Sequence, residues 1–127
     1  MYNYQGTNDC AIVSISNYTG HSYKDVVLAA SEMANVSILQ IHKNGTPEYA
    51  ILLILAKLTG KWWTKYCPRK NQHKINGVVS MHVAGKKNGH MVACVDGNVF
   101  DTDGLVMPIL EYKIRHNYVI RHVYTIG

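Results

Sequence analysis

An α+β architecture is what this sequence predicts, on three observations. Apolar residues between positions 10 and 60 recur at helical spacing, with capping residues before the runs and glycines after them. From Trp62 onward the apolar residues fall in short β-rich runs. Asp96-Gly97 lies between two of those runs, and that dipeptide is a strong signal for a two-residue antiparallel hairpin. Helices in the N-terminal half should therefore pack on a C-terminal antiparallel sheet.

The first helix should begin at Cys10 and carry Ile12, Ile15, Ser16 and Thr19 at helical spacing, with Gly20 as its stop. Ser22, followed three residues later by Asp25, resembles a capping box with Asp in place of Glu. It opens a second helix through Val26, Val27, Ala29, Ala30 and Met33. Thr46-Pro47-Glu48 places a cap, a proline at the first helical position and an acid in the first turn. That third helix runs through Leu52, Leu53, Leu55 and Ala56 to about Leu58, before Gly60. Strands are expected at 62–66, 77–83, 90–95, 98–101 and 118–125.

Composition narrows the field. At 127 residues the chain suits a single domain, 1–127, able to bury roughly two-thirds of its unfolded surface. With 47% hydrophobic and 17% charged residues it is not a disordered tail. A net charge of +5 favours acidic partners without naming one. The longest apolar run, Ala50 to Ala56, is too short to span a membrane, and Met1-Tyr2-Asn3-Tyr4-Gln5 has no signal-peptide pattern. A cytoplasmic protein is expected, and the small size suits a bacterial or phage setting. Three cysteines with no CxxC form no disulfide framework, so each must be core filler, ligand or nucleophile.

The hairpin places a histidine beside carboxylates. With Asp96-Gly97 as the loop, Val95 pairs with Asn98, Val92 with Asp101 and His90 with Asp103. Side chains alternate along a strand, so His90, Val92, Cys94, Val99, Asp101 and Asp103 share a face. Asp101 is then diagonal to His90 and Asp103 lies across from it. A carboxylate there raises the imidazole pKa and fixes its tautomer, as a general base requires; the bland reading is two acids ending a strand in a turn.

Cys10 falls at a helix N-terminus, where unpaired N–H groups and the macrodipole stabilise a thiolate, although a buried small hydrophobe would fit there too. Cys67 and Cys94 lack that setting and read as core residues. Gln5, five residues upstream, is close enough to donate to an oxyanion formed at Cys10, beside the Cys10 backbone N–H. A polar donor, a helix-capping Cys and a distant His with an acid beyond it follow the Cys-His-Asp order of nucleophilic amide chemistry.

These residues carry a resemblance. Gln5-Gly6-Thr7-Asn8-Asp9-Cys10-Ala11, then Ser14-Ile15-Ser16-Asn17-Tyr18-Thr19-Gly20, resembles the catalytic helix of papain-like cysteine peptidases. The likeness is closest to the small double-glycine bacteriocin-processing peptidases and their stand-alone relatives. Gly89-His90-Met91-Val92 and Val99-Phe100-Asp101 are similar to the second half of that pattern. The resemblance implies a minimal papain-like fold, with Cys10 as nucleophile, His90 as general base, Asp101 as orienting acid and Gln5 as oxyanion donor. Ala11 stands where those relatives usually have Gly, and Gln5 is one residue nearer the Cys than is common, a spacing similar to that of Josephin domains. The implied partner is a peptide or protein substrate, and no cofactor is implied.

Other readings are weaker. A catalytically silent papain-like module would bind a peptide or protein in the same groove. A third reading takes Lys57, Lys61, Lys65, Arg69, Lys70 and Lys74 around Trp62, Trp63 and Tyr66 as a nucleic-acid surface. Strand alternation sends at least one Trp into the core and leaves the lysines solvated, so nucleic acid is the less expected partner. His82, His90 and Cys94 have no tight metal-ligand spacing, and zinc is not expected. His21, His42, His73, His116 and His122 read as surface residues. Tyr112, Tyr118 and Tyr124 read as sheet packing.

Overall fold

The computed structural model describes residues 9–86, 89–101 and 103–126. Within them are five α-helices and one antiparallel sheet of six strands. The helices are α1 (Cys10–Thr19), α2 (Tyr23–Ala34), α3 (Ile38–Asn44), α4 (Ile51–Thr59) and α5 (Ile109–His116). The strands are β1 (Trp63–Tyr66), β2 (Gly77–Val83), β3 (Gly89–Val95), β4 (Asn98–Phe100), β5 (Val106–Pro108) and β6 (Tyr118–Ile126), in the spatial order β1-β6-β2-β3-β4-β5. The predicted α+β class is the observed one. No helix among the described residues is long and apolar enough to cross a membrane.

Local signals placed most boundaries. α1 starts at Cys10 and stops at Gly20, whose φ of 79° is the left-handed cap expected of glycine. Ser22 caps α2 by accepting a hydrogen bond from the Asp25 N–H at 3.1 Å. The Thr46-Pro47-Glu48 signal is displaced by one residue. Pro47 is extended, with ψ of 139°, and precedes a 3-10 turn at Glu48–Ala50 before α4 begins. Three elements had no reading in the sequence: α3, capped by Ser37, and the β5–α5 pair, whose apolar residues are too few to show a period.

The sheet is covered on both faces. On one, α1, α2 and α4 bury Ile12, Ile15, Val26, Ile54 and Leu55 against Trp63, Val78 and Tyr124. Trp63 enters this core, 7% exposed, and its Nε1–H donates to Thr59 Oγ1 at 2.8 Å; Trp62 stays outside. On the other face α5 packs Ile109 and Tyr112 on Val79, Val92, Cys94, Val99, Ile120 and Val123. An irregularity in the β2–β6 ladder lets both sets coexist. His122 pairs with Ser80 and Ile120 with Met81, so Arg121 is an extra residue that reverses the alternation along β6. Tyr118 and Ile120 thereby face the α5 side together with Val123.

The hairpin forms as expected, with positive φ at Asp96 and Gly97 and with Val95↔Asn98, Cys94↔Val99 and Ala93↔Phe100 as pairs. A Cβ on Gly97 would lie 2.0 Å from the His73 carbonyl oxygen, and its φ is 82°. Gly97→Ala should therefore lower stability by about 2–4 kcal/mol, measured as a shift of the urea unfolding midpoint at unchanged slope.

Candidate active site

Cys10, His90 and Asp101 meet beside the start of β3. α1 packs along β3, which brings the first residue of the helix to the strand that carries His90. The hairpin turn then returns β4 so that Asp101 follows its last residue. His90 Nε2 lies 2.9 Å from Asp101 Oδ1. The Cys10 thiol is close enough to the ring to be one of the groups that raise the His90 pKa. Cys10 is half-buried as a residue.

The ordered contact is with Asp101, the diagonal acid. The ladder ends at Ala93↔Phe100, so the expected pairings Val92 with Asp101 and His90 with Asp103 do not form. Asp103 is exposed and caps a turn instead, accepting from the Leu105 N–H at 2.9 Å. Asp101 is 7% exposed and its second oxygen accepts the Tyr112 hydroxyl at 2.7 Å. Both carboxylate oxygens are thus held, which fixes the imidazole plane through the shared hydrogen bond.

Electrostatics favour a protonated ring. Burial of His90 opposes its charge, but hydrogen bonds to Asp101 and Cys10, with the charge attraction of each, outweigh that and raise its pKa from 6.5 to about 9. At neutral pH the ring is then imidazolium, the form that stabilises a thiolate at Cys10. Burial and the Asp101 carboxylate push Tyr112 up, so its hydroxyl stays a donor. Burial, Asp101 and Cys10 likewise raise Tyr118, whose ring stacks on His90 at a centroid distance of 6.1 Å and 23°.

Several of these partners were not legible as site residues. Tyr112 belongs to α5, not to the sheet, and Tyr118 reaches His90 only through the bulge in β6. Asp9 is fully buried and accepts the Tyr23 hydroxyl at 2.8 Å, tying the start of α1 to α2. Tyr23 in turn stacks on His42, which is half-buried, not a surface residue. His122 is also partly covered, with Nδ1 3.4 Å from Glu48.

The other two thiols separate. Cys94 is buried, donates to the Ile75 carbonyl at 3.3 Å and is pushed up to about 12, chiefly by burial. Cys67 was expected in the core and is exposed, because β1 ends at Tyr66 and the chain leaves the sheet there. Gln5 lies outside the described residues. Among those residues no group of three or more His, Cys, Asp or Glu side chains could hold a metal. No family model, curated protein or solved structure matches the chain.

Proposed function

We propose that the chain is a thiol hydrolase of amide bonds, a cysteine peptidase or related amidase, acting through Cys10, His90 and Asp101. The observation that carries this reading is one imidazole bonded to a buried carboxylate, with a thiol at a helix N-terminus near enough to raise the ring's pKa. In the reaction the resting pair is a Cys10 thiolate with its proton held on the His90 imidazolium, and the sulfur attacks the substrate carbonyl. The negative oxygen is held by the Cys10 backbone N–H and, on the resemblance to papain-like peptidases, by Gln5. His90 passes the proton to the leaving amine, and the freed imidazole then draws a proton from the water that hydrolyses the thioester.

Asp101 keeps the ring aligned through both transfers, and Tyr112 holds the second carboxylate oxygen meanwhile. A cavity of ≈ 540 Å³ lies at the far end of α1, bounded by Asn17, Gly20, Tyr23 and Phe100 among others, about two helical turns from Cys10 and lined by none of the three site residues. The order Cys, His, Asp along the chain and the helix-then-sheet arrangement support a minimal papain-like fold.

Iodoacetamide tests the reading with an internal reference. At pH 6.5, Cys10 should alkylate at least about tenfold faster than exposed Cys67, while buried Cys94 stays unmodified, as followed by peptide mass mapping. Equal rates at Cys10 and Cys67 would remove the activated thiol and leave a silent module that binds peptide in the same groove.

A further inference from the structure

The strongest unassigned feature lies on the opposite edge of the sheet. Residues 49–95 contain no Asp or Glu, and Lys57, Lys61, Lys65, Arg69 and Lys70 fall on α4, on β1 or within four residues of β1. Across that segment runs β1, an edge strand with a neighbour on one side only. At its start Trp62 is 85% exposed, although its neighbour Trp63 is buried; tryptophan is highly buried on average. A notch of ≈ 290 Å³ lies beside the indole, lined by Ala56, Gly60, Lys61 and Trp62. A Cβ on Gly60 would meet nothing within 4 Å, so the floor of the notch is open.

We infer that this edge binds single-stranded nucleic acid, with a base stacked against Trp62 in the notch and the phosphates following β1. The exposed indole borders the notch and offers an aromatic surface on which a base can stack. Tyr66, 43% exposed, ends the strand about 13 Å further on at roughly 3.3 Å per residue and offers a second aromatic surface. Among the described residues, Lys61, Arg69 and Lys70 form no ion pair. Lys57 and Lys65 are paired only at half-exposed positions, with Glu32 at 3.5 Å and Glu48 at 3.9 Å, contacts weak enough to yield to phosphate. An acidic protein would satisfy the charge, but it would not need two exposed aromatic rings along the strand. This surface is independent of Cys10 and of the hydrolase reading.

The test is fluorescence anisotropy of the full chain with a labelled oligo(dT) of about a dozen nucleotides, beside the Trp62→Ala, Trp62→Tyr and Lys61→Ala variants. Trp62 is too exposed for its loss to unfold the protein. The wild type should bind, and its affinity should fall roughly 50-fold between about 50 and 200 mM salt if four phosphates are contacted. Trp62→Ala should weaken binding roughly tenfold or more, Trp62→Tyr should restore most of it, and Lys61→Ala should flatten the salt slope. Cys10→Ala should bind as wild type. No binding by the wild type at low salt, unchanged affinity in Trp62→Ala, or equal competition by a polyglutamate peptide would overturn the assignment.

Discussion

His90→Ala should slow alkylation of Cys10 by roughly 10- to 100-fold at pH 6 and leave it nearly unchanged above about pH 9.5. An ordinary thiol titrates near 8.5, so it is less than about 1% ionised at pH 6. In the native site an imidazolium, protonated up to about pH 9, stands beside the sulfur. A cation next to a reacting sulfur assists its attack, and the substitution withdraws that help. Above the His90 pKa the imidazolium is gone from the native protein too, so the two rate profiles should converge. A uniform rate loss at all pH values would show that the substitution only disturbed packing.

The second large effect is on stability. Asp101→Asn removes the charge that holds His90 and Tyr112 while keeping the side-chain shape. Burial, which lowers the His90 pKa, then works without its main opponent. The midpoint read from the imidazole proton resonances should fall from about 9 toward or below 6.5. The sign for stability follows from the native value being raised. His90's contribution is fully present below pH 6.5 and is lost as pH rises through about 9. The span is worth about 3 kcal/mol, and only 23% of the side chain is exposed to solvent screening. Urea unfolding of the native protein should therefore show stability declining between pH 6.5 and 9, and Asp101→Asn should be about 2–3 kcal/mol less stable at pH 6 with little of that decline. A wild-type stability flat across this window would contradict the raised pKa.

Each half of the site is local in sequence, and each half was legible there for a different reason. A two-residue turn sets register, and the alternation of side chains then forces His90 and Asp101 onto one face within twelve positions. Even so, the choice between Asp101 and Asp103 needed the structure, because the ladder stops at Phe100 and β4 releases the chain into a turn. The helix start at Cys10 was marked by its apolar spacing and by Gly20. Nothing local indicated that Asp9, just before it, is fully buried, since its partner Tyr23 belongs to the next helix. Helix α5 escaped notice because eight residues with Ile109 and Tyr112 as the only buried ones show no clear period.

What the sequence determined by itself is the set of pieces governed by short-range geometry: a helix opening on Cys10, a hairpin pairing His90 with an acid, and helices followed by strands. The tertiary structure decided what lies between those pieces. It brought Cys10 onto a histidine 80 positions away by packing α1 along β3, and it placed Tyr112 on the acid from the opposite face of the sheet. It also turned Tyr118 toward His90 through one extra residue, Arg121. Turns and side-chain periods are written within a few residues, because backbone hydrogen bonds and sterics act at that range. A bulge and the burial of a tyrosine depend on two cores being filled at once on both faces of one sheet, and only the folded chain satisfies that condition.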